Sequence, residues 1–473
     1  MSTYEFAMSN VNIIFGVMPE AYLSVISILL LIIGLYGNLS KAIWWIASIL
    51  LIPVIINLLS NNGFTPENEI LGGLKNTSFA LMIKAFILSF GMLILIFYGG
   101  LGRIKIWRHG HHEYVILILL SCVSGMIAVS ASNFLILYTS LEIMALINYV
   151  LASYDRESKI SQEAGIKYFI LGSLSSCIMV FGMSYTYGFS GSLSFEHIHN
   201  VLTLKTYSPA LLAGLTMFIA GILFKLSIAP FHFWTQDVYQ GSPLISVAFF
   251  ASIPKITVLA SLINIISGVI YPLHHLWQNI FIALAVLSMV IGGFGGIAQT
   301  SLKRLISYST IFNMGFILLA ISCANEEAFR AAIMFQIIYS LASIGLLATL
   351  SITIVPSSDD YPIANLIGFG IVKKLAAFAI SIFTFSFIGI PPLAGFFGKI
   401  YILAASIKSH LYITSVTALI LSVVASTYYL SILKTMYFTQ PSGKQIRLHE
   451  ASSVTLVAYI CAVFILLFPF IYF

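Results

Sequence analysis

The 473 residues are 59% hydrophobic and only 8% charged, with a mean hydropathy of +1.02; a soluble chain carries about 25% charged residues, so a soluble globular protein is excluded. The formal charge of +6 has no basic cluster behind it, which argues against a nucleic-acid partner. Four cysteines, Cys122, Cys177, Cys323 and Cys461, lie in or near apolar sequence without metal-ligand spacing and read as buried small hydrophobes. No hydrophilic stretch is long enough to house a nucleotide, flavin or iron–sulfur site, so no cofactor or metal residues are expected.

A spanning helix needs about 20 apolar residues. Fourteen segments qualify, at roughly 17–36, 43–60, 79–99, 112–129, 132–151, 164–186, 209–230, 243–269, 277–297, 304–322, 329–352, 371–392, 409–433 and 452–472. The first charges are Glu5 and Glu20, with no basic leader and no small-residue cleavage site, so the first segment is expected to persist. Between the fourth and fifth segments only 130–133 is polar, which demands a tight turn. The expected fold is an all-α polytopic membrane protein, its membrane surface covered by lipid.

The connections set an orientation. The odd-numbered ones carry Lys41, Arg103, Lys105, Arg108, Arg156, Lys159, Lys167, Lys303, Arg304, Lys373, Lys374, Lys434, Lys444 and Arg447, fourteen basic residues; the even-numbered ones carry Lys75, Lys205, Arg330 and Lys408, four. Basic loops stay in the cytoplasm. Both termini are therefore expected on the opposite side. The remaining four of the 22 basic residues, Lys84, Lys225, Lys255 and Lys399, lie inside apolar sequence.

A charge at membrane depth is costly and persists where neighbours or water satisfy it. Lys84 lies about one turn inside the third segment, where its stem can snorkel to the interface. Glu142 has no such escape in the middle of FLILYTSLEIMALINYVL; it must be protonated and hydrogen-bonded, or paired with a cation. Lys167 opens the sixth segment with Glu163 at i−4, a spacing that suits a helix ion pair. It also extends the charge series to the cytoplasmic edge.

The stretch 221–243, GILFKLSIAPFHFWTQDVYQGSP, holds Lys225 five residues before Pro230. Proline lacks the N–H and clashes with the preceding turn, so the helix must break there. An amine withdrawn from water binds its proton less tightly, and a nearby carboxylate restores the affinity. Lys225 is thus a candidate proton site, with Glu142 its natural partner. His232 either relays protons or, with Trp234 and Asp237, ties down the unwound connection. Lys255 follows Pro254 at mid-depth in the eighth segment. In FTFSFIGIPPLAGFFGKIYIL, Pro391, Pro392 and three glycines forbid a straight helix, and Lys399 follows.

Segments seven and twelve thus share a design: an apolar helix, a proline break and a lysine nearby. Paired interruptions of this kind mark inverted repeats in transporters. Segments four to eight (112–269) and nine to thirteen (277–433) form two inverted five-helix units, preceded by a three-helix segment at 1–111 and followed by a loop and helix at 434–473. Lys303, Arg304, Ser307, Tyr308, Ser309 and Asn313 at the tenth segment read as packing, and Tyr428, Tyr429 and Lys434 as an interface belt.

Glu142, Lys225, Lys255 and Lys399 suggest a lateral polar axis near the midplane, bridged by water at the helix breaks. With no phosphate loop, haem ligands or metal cluster in view, such a module is driven by a partner or an ion gradient. Protons suit lysines better than sodium does, though sodium–proton exchange survives as an alternative, as does a structural subunit whose charges lock helices together.

Four strings carry a resemblance: EAGIKYFILG at 163–172, FKLSIAPFHFWTQDVYQGSP at 224–243, LKRLISYSTIFNMGF at 302–316 and PPLAGFFGKIYIL at 391–403. They resemble the antiporter-like membrane subunits of respiratory complex I over essentially the whole chain. The second string is similar to the N-type subunits of bacterial NADH–quinone oxidoreductase, the relatives of mitochondrial subunit 2; sister subunits and multisubunit cation–proton antiporters read more like W-L-P-D-A there. The resemblance implies that Glu142, Lys225, Lys255, Lys399 and Lys167 serve proton translocation. It also implies partners, a sister antiporter-like subunit and small membrane subunits, within a complex that as a whole uses NADH, FMN, iron–sulfur clusters and quinone. A bacterial inner membrane follows from it too. Asn313 stands where relatives often carry histidine and cannot titrate, so water or hydrogen bonding must serve at that step.

Overall fold

The computed structural model describes residues 3–35, 42–60, 73–101, 111–205, 207–352, 361–439 and 452–472. Lys41, Arg103, Lys105, Arg108, Lys444 and Arg447, counted above for orientation, lie outside them. The helices are α1 (Thr3–Leu35), α2 (Ile43–Ser60), α3 (Ser78–Leu101), α4 (His111–Ser130), α5 (Phe134–Ala152), α6 (Lys159–Ser190), α7 (Phe195–Thr203), α8 (Pro209–Lys225), α9 (Phe233–Gly241), α10 (Leu244–Gly268), α11 (His274–Ile297), α12 (Leu302–Ser322), α13 (Glu326–Leu350), α14 (Phe369–Val372), α15 (Lys374–Ile388), α16 (Ala394–Lys408), α17 (Tyr412–Phe438) and α18 (Ser452–Tyr472). Among the described residues the only β pairing is isolated bridges. This follows from the solvent: a bilayer offers backbone groups no partners, so each crossing segment must bond to itself.

Twelve helices among the described residues are long and apolar enough to cross a membrane. The two crossings expected to be discontinuous are split, into α8 with α9 and α15 with α16. The chain is a multi-pass membrane protein, and apolar side chains such as Ile28, Ile49, Ile170, Leu375, Val423 and Val463 stand exposed on its helices. The turn at 131–133 is as tight as expected. The end of α4 is satisfied by neighbouring loops, with Lys75 N–H donating to Ser130 O at 2.7 Å and Phe195 N–H to Ser132 O at 3.0 Å.

The chain forms two compact units. The first comprises Met1–Asn148, Leu174–Ile222 and Ile256–Pro272. In it α1 packs on α4, and α3 on both α2 and α4. Phe134 meets Phe195 and Phe218 edge to face, with ring centroids 4.8 and 4.7 Å away. Lys84 does not snorkel. It is 1% exposed, its ammonium pairs with Glu20 at 2.5 Å and donates to Asn76 Oδ1 at 2.6 Å, and Ser130 Oγ donates to the same oxygen. A partner from α1 makes interior burial cheaper than reaching for water.

The second unit comprises Tyr149–Ser173, Leu223–Lys255 and Leu273–Phe473. Its centre is α12 and α13, buried along almost their whole length, with α11 and α17 on one side of α12 and α15, α16 and α18 against α13. Tyr428 and Tyr429 belong to this core rather than to an interface belt, each 2% exposed; the inward face of α17 carries them onto α11 and α15. Of the cysteines, Cys122, Cys323 and Cys461 are buried but Cys177 is exposed, because it shares the outward apolar face of α6 with Leu174 and Ile178.

Candidate functional site

Pro230 cannot donate, so the helix begun by α8 stops early and leaves carbonyls without intrahelical partners. The second unit supplies replacements. Ser227 takes a left-handed backbone (φ 63°), and its N–H donates to Phe224 O at 2.9 Å. The Ile228 N–H reaches Leu223 O at 3.1 Å, and the Trp234 indole N–H donates to Phe224 O at 3.0 Å. The Ala229 N–H donates to Ser288 Oγ of α11 at 2.9 Å. The remaining acceptor, Lys225 O at the end of α8, receives the ammonium of Lys255 at 3.1 Å, and Ser227 Oγ receives it at 2.6 Å.

Lys255 is 1% exposed and reaches this point from α10, with its ammonium 5.3 Å from the Trp234 ring centre. A cation at a helix C-terminus lies at the negative end of the helix dipole, which stabilises it by up to about 2 kcal/mol in partly buried geometry. The break and the buried charge therefore support each other. Lys225 is the last residue of α8 and is half-buried.

The second break repeats the solution. Gly389, at φ 88°, ends α15 with its N–H on Phe385 O and Ser386 O. A Cβ there would stand 3.1 Å from Lys399 Cδ, so the missing side chain also clears the lysine's route. The Lys399 ammonium comes from α16 and donates to Ile388 O, the last carbonyl of α15, at 3.0 Å. Lys399 is 6% exposed and faces the Phe312 and Phe316 rings at 5.6 and 5.8 Å. Both breaks contain a cis prolyl bond, Ala229–Pro230 and Pro391–Pro392.

The other expected residues take separate positions. Glu142 lies in the first unit, where it accepts a 2.5 Å hydrogen bond from Ser176 on α6. Lys167 forms the i−4 pair with Glu163 at 2.8 Å and a second pair, equally short, with Asp237 of α9. Arg304 stands 3.9 Å from the same carboxylate. Asp237 is thus an ionic junction joining α6, α9 and α12. His232 is 5% exposed, beside the Phe233 ring, and its Nδ1 is buried with no hydrogen-bond partner among the described residues.

Sequence reasoning missed a buried polar group in the second unit. Thr310 of α12 bonds Tyr339 of α13 at 2.8 Å, and Ser309 bonds Tyr429 of α17 at 2.5 Å. Asn313 donates to Ser309 O at 2.9 Å, and its own oxygen is buried with no hydrogen-bond partner among the described residues. The signal was present as hydroxyls inside apolar runs, but only packing shows that they converge. Lys303, placed in a loop by the sequence, is likewise 3% exposed and donates to Gln240 O at 3.1 Å and Ser242 O at 2.8 Å.

Residues 131–425 match a family described as NADH:quinone oxidoreductase/Mrp antiporter, TM. An NADH-quinone oxidoreductase subunit N of Rickettsia typhi is 39% identical over 392 residues, covering 82% of this chain and 84% of that one. The subunit N of the Wolbachia of Brugia malayi is 35% identical over 456 residues, 94% and 96% of the two chains. A chain of respiratory complex I from Thermus thermophilus superposes with a TM-score of 0.80 at 27% identity, covering 95% and 96%. A chain of the Mrp complex from Dietzia shares the fold alone, with a TM-score of 0.78 at 14% identity over 98% and 94%.

Proposed function

The chain belongs to the subunit N family of NADH-quinone oxidoreductases, within the NADH:quinone oxidoreductase/Mrp antiporter membrane proteins, and we propose that its buried lysines and Glu142 carry protons within such a complex. The observation that carries the reading is the pair of ammoniums, Lys255 and Lys399, each held by the last carbonyl of an interrupted helix. A backbone carbonyl and a hydroxyl stabilise a charged amine, yet neither neutralises it, so the proton is held without being locked in an ion pair. Titratable groups held this way suit capture and release, whereas a purely structural role is better served by a carboxylate partner, as Lys84 has.

In this reading Glu142, Lys225, Lys255 and Lys399 exchange protons with water in and around the two breaks. Lys167 serves the series at its cytoplasmic edge, and His232 is a relay candidate. The two breaks sit in inverted five-helix repeats, at 112–269 and 277–433. Energy comes from NADH oxidation and quinone reduction in partner subunits that hold the FMN, iron–sulfur clusters and quinone; a sister antiporter-like subunit and small membrane subunits are further neighbours in the membrane. The complex lies in a bacterial inner membrane, with both termini of this chain on the periplasmic side.

Lys225→Ala in native membranes tests the reading, with assembly of the complex checked in parallel. The expected result is an assembled complex that loses at least tenfold in both proton pumping and NADH–quinone activity. Normal pumping by an assembled complex would remove Lys225 from the series and favour a structural subunit.

A further inference from the structure

The Lys303 ammonium does at α9 what Lys255 does at α8 and Lys399 at α15. It reaches back from the first turn of α12 and donates to Gln240 O and Ser242 O, at 3.1 and 2.8 Å, where α9 ends and turns into α10. It is 3% exposed and lies 5.1 Å from the Tyr361 ring centre. The turn it holds is 241–243, Gly-Ser-Pro, where Pro243 brings no donor. Gly241 leaves room for Ala164 of α6, whose Cβ would stand 2.6 Å from an added Cβ. Main-chain carbonyls buried at a helix end are costly if left unpaired.

What this turn governs is the geometry of the first break. At the other end of α9, Trp234 donates to Phe224 O and presents its ring to the Lys255 ammonium. Beyond the turn, α10 carries Lys255 itself. Midway, Asp237 holds Lys167. A shift of the α9–α10 turn would move all three contacts together.

Building on the proton-carrying role above, we propose that Lys303 is a positioning residue for it: by fixing the α9–α10 turn through its N–H donors, it sets the distance from Lys255 to the carbonyl and hydroxyl at the α8 break. It acts by hydrogen bonding and carries no proton of the pumped series. The role asks for donors of the right reach, so glutamine, neutral but able to donate, replaces it in part, and methionine does not.

The test compares Lys303→Met, Lys303→Gln and Lys303→Arg in native membranes, reading complex assembly, NADH–ferricyanide activity, pumping rate and its pH profile. Lys303→Met is expected to assemble, keep ferricyanide activity and pump about tenfold slower; Lys303→Gln and Lys303→Arg are expected within about threefold of the parent. The pH profile of pumping should keep its shape in all three. A shifted profile, or a glutamine variant as defective as the methionine one beside an active arginine variant, would make the charge itself the requirement and overturn the proposal. Normal pumping in Lys303→Met would overturn it too. So would failed assembly of Lys303→Gln, which would make Lys303 a folding residue. Lys225→Ala, measured alongside, keeps the two questions apart: if it pumps normally, the proton role fails whatever the Lys303 variants do.

Discussion

Lys84 and Lys255 are both buried lysines in apolar helices, yet their surroundings differ in a way that separates structure from chemistry. Lys84 has a carboxylate, Glu20, and an amide, Asn76. Asn76 in turn donates to Gly16 O at 2.7 Å, so one ion pair ties α1 to α3 and to the turn after α4. Removing one member of such a pair leaves a buried charge uncompensated, at a cost of about 3–5 kcal/mol, whereas removing both is far milder. Lys84→Met should therefore lower the thermal stability of the assembled complex strongly, and Lys84→Met with Glu20→Gln should recover most of it. A double variant that loses the sum of the Lys84→Met and Glu20→Gln losses would mean that the two residues contribute nothing as a pair. The sequence placed Lys84 near a helix end and so within reach of water. It showed nothing of Glu20, which lies 64 positions earlier and meets it only once α1 packs beside α3.

At the scale of elements, the two helix breaks were legible and their completion was not. Proline and glycine announce a lost donor and a permitted left-handed turn wherever they stand, so 230 and 389–392 could be marked from local chemistry. Which lysine fills each gap depends on another helix. Sequence proximity matched Lys225 with Lys399, one before its break and one after. By contact the counterpart of Lys399 is Lys255, since each donates to the final carbonyl of the interrupted helix. Helix crossings show the same limit. Gly182 of α6 and Gly214 of α8 face one another so closely that a Cβ on Gly214 would lie 2.8 Å from Gly182 O. Neither glycine stood out in a chain with 33 of them. Gly214→Ala must push the helices apart, because the obstacle is backbone, and assembled complex should fall severalfold in membranes. Gly188→Ala, on the same α6 with nothing within 4 Å of the added Cβ, should leave it unchanged. Indifference at Gly214 would show that the crossing tolerates a wider spacing.

For the whole molecule, the count of crossings and the sign of the loops constrain each other. Twelve continuous spans and two broken ones give fourteen passes among the described residues, and an even number returns the chain to the side on which it began. The fourteen-to-four excess of basic residues in the odd connections then favours the proposed orientation, with those connections in the cytoplasm and both termini outside it. Three of the fourteen, Lys303, Lys167 and Arg304, are held by protein in the structure, the first buried on carbonyls and the other two paired with carboxylates. They are committed to packing and weigh little in setting topology, but the remaining eleven still outnumber the four. Alkaline phosphatase, active only after export, should be active when fused after Phe473 and inactive when fused within 440–447, in the last odd connection. The reverse pattern would invert the orientation and place Lys167 on the exported side. Equal activity at both points would remove the last crossing, leaving thirteen passes and termini on opposite faces.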